Sequence, residues 1–322
     1  MADSSPDKFH AMLQAAQQNQ VLLEWFGGIA VASFVAAAIG GKIGRGLMII
    51  VTVAGLMLVY PAATGNGLNY PWTPKVQLEG MDRITVMLPV VGLLGLLLSL
   101  RKVPGWAGML AMVLVPALVV AEALLPHKNF NDFTGLEWKL IWMYAAGAAV
   151  VAGAVGVSTE AVASRQKGIA PVLVAGLFAA GVAGLLINTG EAKLGTLAAG
   201  VGMSILGALL GGLCTKRPQF DTGPVFVWIT ALVALLAYGS DNTDEQAPIW
   251  LAVVCVAPLL GWVAQVNPVA KWKPWKRELA RGLVVGIPIV TVLVIASMKS
   301  VKAAGTVAGS SADDTGGWNY GG

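Results

Sequence analysis

Charge is scarce in this sequence. Lysine, arginine, aspartate and glutamate make up 12% of its 322 residues, whereas 56% are hydrophobic. A soluble domain carries roughly 25% charged residues, and half that supply does not cover the surface of a folded chain this long. A soluble globular enzyme therefore does not fit. Nor does a disordered chain, which would be poor in hydrophobic residues. The mean hydropathy of +0.72 points instead to a membrane protein with several spans.

Histidine and cysteine are almost missing as well. The two histidines, His10 and His127, fall outside the apolar runs. A haem held by histidines inside the bilayer, a buried zinc site of the His and carboxylate kind, and a serine nucleophile with a buried His base are all excluded. The two cysteines, Cys214 and Cys255, are far apart and read as unpaired small hydrophobes rather than a metal site. No phosphate loop of the GxxxxGK[ST] form occurs. No cofactor is expected.

What is present is apolar sequence in long runs. A span needs about 20 apolar residues. Ten runs qualify, at 21–39, 47–63, 84–100, 106–125, 140–163, 169–187, 194–213, 224–239, 249–266 and 283–299. The second, eighth and tenth are short. The expected fold is an all-α polytopic transmembrane bundle of about ten spans, a helical domain over 21–299.

Two further segments flank it. Residues 1–20 hold Asp3, Asp7 and Lys8 and no apolar core, which is not the pattern of a signal peptide. Ser5-Pro6-Asp7 reads as a helix start. Phe9, Met12, Leu13 and Ala16 then share one face, as in an amphipathic helix at the interface or an extension of the first span. Residues 300–322 form a Gly/Ser-rich tail, expected to be flexible, with Trp318 and Tyr320 near its end.

The connections alternate in charge. One set holds Lys42, Arg45, Arg101, Lys102, Arg165, Lys167, Lys216, Arg217, Lys271, Lys273, Lys276, Arg277 and Arg281, with only Glu160, Asp221 and Glu278 as acids. The opposite set, with both termini, is net acidic. Loops rich in bases stay in the cytoplasm, so both termini are expected on the non-cytoplasmic side. Trp25, Trp138, Trp142 and Trp250 near the outer ends, and Trp106, Trp228 and Trp262 near the inner ends, fit an aromatic belt. Short loops, an Ala- and Gly-rich composition and the absence of any N-x-[ST] acceptor suggest a bacterial cytoplasmic membrane.

Ionisable residues in a bilayer usually mark function, and few are available. No Asp falls in an expected span and no Glu near a midplane, which disfavours a proton pump. Glu122, near the outer end of the fourth span, and Glu160, near the inner end of the fifth, are candidate pathway residues. Both also suit pairing at the interface. Pro116, Pro258 and Pro288 fall near the middle of spans four, nine and ten. Each frees a carbonyl four residues earlier, on Met112, Val254 and Val284. Such breaks either line a midplane cavity as hinges or simply kink a helix. Ser33, Thr52, Thr196, Ser204, Thr230 and Thr291 are the polar side chains left for a pathway.

Small residues recur at helical spacing, including Gly207 and Gly211, and predict close helix packing. The segment Lys271-Trp272-Lys273-Pro274-Trp275-Lys276-Arg277 interleaves bases with indoles. On a soluble protein it would suggest nucleic acid; directly after a span it reads as a lipid-surface anchor, with anionic lipid as partner over 271–281. A protein partner would meet the outer loop 64–83 or the tail. Two function classes follow: a permease for a small neutral or weakly polar solute, or a non-catalytic scaffold of a larger complex.

Overall fold

The computed structural model describes residues 6–64, 80–100, 104–125, 135–165, 170–215, 222–240, 247–265 and 269–310. Ten α-helices follow in chain order: α1 (Pro6–Ile39), α2 (Gly41–Thr64), α3 (Gly80–Leu100), α4 (Gly105–Leu124), α5 (Gly135–Arg165), α6 (Ala170–Asn188), α7 (Ala192–Thr215), α8 (Thr222–Ser240), α9 (Ala247–Val256) and α10 (Pro274–Ser310). A 3-10 segment, Ala257–Gln265, continues α9, and a short one, Val269–Lys271, precedes α10. No strand occurs among the described residues. Eight of the helices hold a stretch long and apolar enough to cross a membrane; Val172–Asn188 and Ile249–Gly261 are shorter. The chain is an all-α polytopic bundle.

The short spans are not the ones the hydropathy suggested. Helix α2 has 24 residues because it starts at Gly41. Gly40 and Gly41 adopt φ of 67° and 61°, a left-handed conformation open to glycine, and the chain reverses there in one residue. Lys42 and Arg45 consequently ride in the first turns of α2 rather than in a loop, with Arg45 Nε donating to the Gly41 carbonyl at 3.1 Å. Helix α8 has 19 residues and α10 has 37. The two shorter apolar stretches are Val172–Asn188 of α6 and Ile249–Gly261 across the broken α9. The turn after α6 closes on Gly190, at φ 95°, with the Glu191 N–H reaching back to the Leu186 carbonyl at 2.9 Å.

The flanking segments merge with their neighbours. Helix α1 runs unbroken from Pro6, so the expected interfacial segment and the first span are one helix. Helix α10 continues through residues 300–310, into the expected tail. Residues 65–79 of the outer loop and 311–322 of the tail lie outside the described residues.

Helix α8 is the axis of the bundle. Its apolar window is 83% buried, against 22% for α1 and 28% for α10. It touches α2, α3, α4, α5, α6, α7 and α9. In lipid, apolar side chains gain little by leaving the tails, so helices associate by packing and hydrogen bonds. Glycines provide the closeness. A methyl at Gly207 would stand 2.1 Å from the Ala30 carbonyl oxygen, and one at Gly211 would stand 2.6 Å from that of Phe34. The Gly207/Gly211 stripe is therefore spent inside the chain, on α1. Gly95 and Gly223 serve the α3–α8 crossing in the same way.

Candidate functional site

Four side chains from four helices meet near the midpoints of α2 and α7. Ser33 (α1), Thr52 (α2), Ser204 (α7) and Trp228 (α8) are all buried to 1% exposure or less. Ser204 Oγ lies 2.7 Å from Thr52 Oγ1 and 3.0 Å from Ser33 Oγ. Trp228 Nε1 donates to Thr52 Oγ1 at 3.1 Å, and Thr52 donates to the Met48 carbonyl at 2.8 Å. A hydroxyl has one proton and two lone pairs. Thr52 places its proton on Met48 and one lone pair on the indole N–H. Its second lone pair must then take the Ser204 proton, and Ser204 in turn accepts from Ser33. The protons run one way, and Thr52 is saturated.

Three of these residues were visible in sequence as polar candidates. Trp228 was not: it was expected in the inner aromatic belt, yet it is fully buried. Trp25, Trp106 and Trp142 are exposed on the bundle surface, as a belt requires. Two buried hydroxyls, Ser99 Oγ and Thr230 Oγ1, have no hydrogen-bond partner. Ser99 abuts Gly223 on α8.

The prolines divide into two groups. Pro116 is buried in α4, which packs on α3, α5 and α8. Pro258 and Pro288 lie in adjoining elements, the 3-10 segment and α10. At Ala257, just before Pro258, the ninth helix stops being α-helical and continues as nine residues of 3-10 helix. Runs that long are uncommon and mark strain or a hinge. The contact between them forms its own small core of Ala257, Val285 and Ile289, separate from the main core of the bundle. Helix α10 holds the broken span near both ends. Arg281 Nε donates to the Gly261 carbonyl at 3.1 Å, and Lys299 Nζ sits 5.0 Å from the centre of the Trp250 ring. Sequence reading passed over two more helix-interior prolines, Pro61 in α2 and Pro89 in α3.

Charged groups sit at the helix ends. Asp82 was expected in a loop, but α3 starts at Gly80 and buries it in the first turn, where Tyr60 Oη donates to its carboxylate. Beside it Arg83 closes the end of α4, donating to the Glu122 and Leu125 carbonyls at 3.0 and 2.7 Å. Glu122 itself is exposed and takes part through its backbone. Glu160 lies on α5, and its side chain is outside the described residues. Arg281 was counted among the surface bases but is fully buried. Its Nη1 lies 2.5 Å from Glu278. Glu122 stands with Arg83 at the end of α4 rather than in the polar seam. Among the described residues no three His, Cys, Asp or Glu side chains gather as a metal would require.

A cavity of about 350 Å³ opens between α6 and α7, floored by Gly176, Ala180 and Gly202 and walled by Leu173, Leu177 and Leu206. It contains none of the three candidate prolines.

No protein-family model matches the sequence, and no curated protein or solved structure matches it. The fold and composition define the class: a multi-pass α-helical integral membrane protein.

Proposed function

We propose that this protein is a permease for a small neutral or weakly polar solute. The observation that carries the reading is the broken ninth span, α-helical to Val256 and 3-10 from Ala257, where Ala257 leaves the main core and packs with Val285 and Ile289 of α10. Interrupted helices beside a rigid body are how transporters build a moving element. The rigid body here is α1, α2, α7 and α8, tied by the Ser33–Ser204–Thr52–Trp228 seam. The moving element is α9, the 3-10 segment and α10. With no carboxylate in the seam among the described residues, and Glu278 beside the broken span neutralised by Arg281, the cargo that suits the path is uncharged. We place the basic ends in the cytoplasm and both termini outside on the base distribution, and the protein in a bacterial cytoplasmic membrane on its short loops, its Ala- and Gly-rich composition and the absence of an N-x-[ST] acceptor.

The test is solute entry into proteoliposomes, followed by light scattering with glycerol and urea as probes. Wild-type protein is expected to raise entry of at least one probe above protein-free vesicles. Pro258→Ala restores a backbone donor and a continuous helix, and is expected to slow entry. Entry equal to that of protein-free vesicles for both probes refutes the reading.

A second reading has its own observation. The saturated seam and the close glycine contacts make the α1–α8 body rigid, which suits a non-catalytic scaffold subunit. It predicts stable copurification of a protein partner from native membranes in mild detergent. Purification of the chain alone counts against it.

A further inference from the structure

The stretch from Lys271 to Arg281 carries five bases, and the structure splits them into two groups with different work. Arg277 and Arg281 turn inward. Arg281 is fully buried, on the Gly261 carbonyl and on Glu278, and Arg277 Nε lies 3.8 Å from the same carboxylate. These two guanidinium groups share one acid, and Arg281 holds α10 to the broken span. Lys271, Lys273 and Lys276 turn outward, and all three are exposed. No carboxylate among the described residues pairs with them.

Two indoles stand among these lysines. Trp272 is 46% and Trp275 61% exposed. Lys276 Nζ lies 5.5 Å from the centre of the Trp275 ring, so its stem runs along an indole while its charge stays outside. Pro274 begins α10, whose apolar stretch runs on from there to Lys299. The group therefore sits where a span leaves the bilayer, at headgroup depth. An indole has an apolar body and a polar N–H, and it settles in that layer. An ammonium group at the same depth meets lipid phosphates.

We propose that Lys271, Trp272, Lys273, Trp275 and Lys276 form a binding surface for anionic phospholipid headgroups. The lysines select the negative lipid, and the indoles set the depth at which they meet it. Arg277 and Arg281 take no part in lipid selection; Arg277 faces Glu278, and Arg281 fixes the platform to the 3-10 segment. The surface is independent of whether the bundle carries a solute or holds a partner.

The experiment uses the full chain in phosphatidylcholine nanodiscs containing phosphatidylglycerol. The protein is released into mild detergent, and retained lipids are counted by native mass spectrometry. Wild-type protein is expected to retain phosphatidylglycerol in preference to phosphatidylcholine, less so as salt rises. The combined K271Q/K273Q/K276Q variant is expected to lose about tenfold of that preference. The combined lysine-to-arginine variant, with the same charge, is expected to keep it. Circular dichroism establishes that each variant is folded; these lysines are exposed, so folding is expected to be unchanged. No preference in the wild type, an undiminished preference in the glutamine variant, or a preference insensitive to salt overturns the proposal.

Discussion

Replacing Thr52 by valine tests the central seam most sharply. Valine has nearly the shape of threonine and lacks its oxygen. The Trp228 N–H, fully buried, then loses the Thr52 oxygen, and the Ser204 hydroxyl loses its acceptor too. The two losses are unequal. A serine in a helix can turn its proton onto its own backbone one turn back. An indole N–H has no such refuge. A stranded buried donor costs about 1–3 kcal/mol, while interhelical hydrogen bonds in membranes average about 0.6 kcal/mol. We therefore expect Thr52→Val to destabilise the bundle by about 1–2 kcal/mol. Trp228→Phe removes the donor itself. Combined with Thr52→Val it strands nothing on α8, so the double variant is expected to lose about 1 kcal/mol less than the sum of the singles. The assay is reversible unfolding in mixed micelles by SDS titration, followed by far-ultraviolet circular dichroism. Additive single effects, or a Thr52→Val variant as stable as wild type, would refute the proton order derived for the seam.

Further outcomes follow from other contacts. Gly207→Ala places a methyl against backbone at Ala30, which cannot yield as a side chain would, and is expected to cost about 1–3 kcal/mol. Gly147→Ala, with nothing within 4 Å, is expected to be neutral in the same titration. Arg281→Gln removes the buried charge that neutralises Glu278 and is expected to loosen the broken span, read as faster maleimide labelling of the half-buried Cys255. In a Cys214→Ser background, cysteines at Glu191 and Lys273 are expected to label from opposite sides of the membrane. Labelling of both from one side overturns the topology.

Much of the helix inventory was legible because apolar length is a local property. All ten apolar runs became helical elements, and the ninth also changed from α to 3-10 at Ala257, beside Pro258, although Pro61, Pro89, Pro116 and Pro288 left their helices α-helical. Arrangement was less legible. Helix α8 is no more hydrophobic by eye than its neighbours, and only packing makes it the axis. Ser33, Thr52 and Ser204 could be named in advance, but their meeting depends on how α1, α2 and α7 cross. Trp228 was misplaced because an indole near a span end suits the interface as well as the interior. Asp82 and Arg281 were misplaced for a related reason. Charge marks the end of a hydropathy window, so a buried charged residue at a helix end is read as loop.

The seam also sets an order of events during synthesis. Ser33 and its partner Ser204 are 171 residues apart. At about 5–20 residues per second, roughly 9–34 seconds separate their appearance. Throughout that interval α1 is in the membrane without the α7 glycines that later receive it. The hairpin of α1 and α2, reversed in one residue at Gly40, must wait as a pair with its serine and threonine hydroxyls turned to their own backbones. The bundle closes only when α7 and then the Trp228 helix arrive, so its last-made central helix is the step that commits the fold.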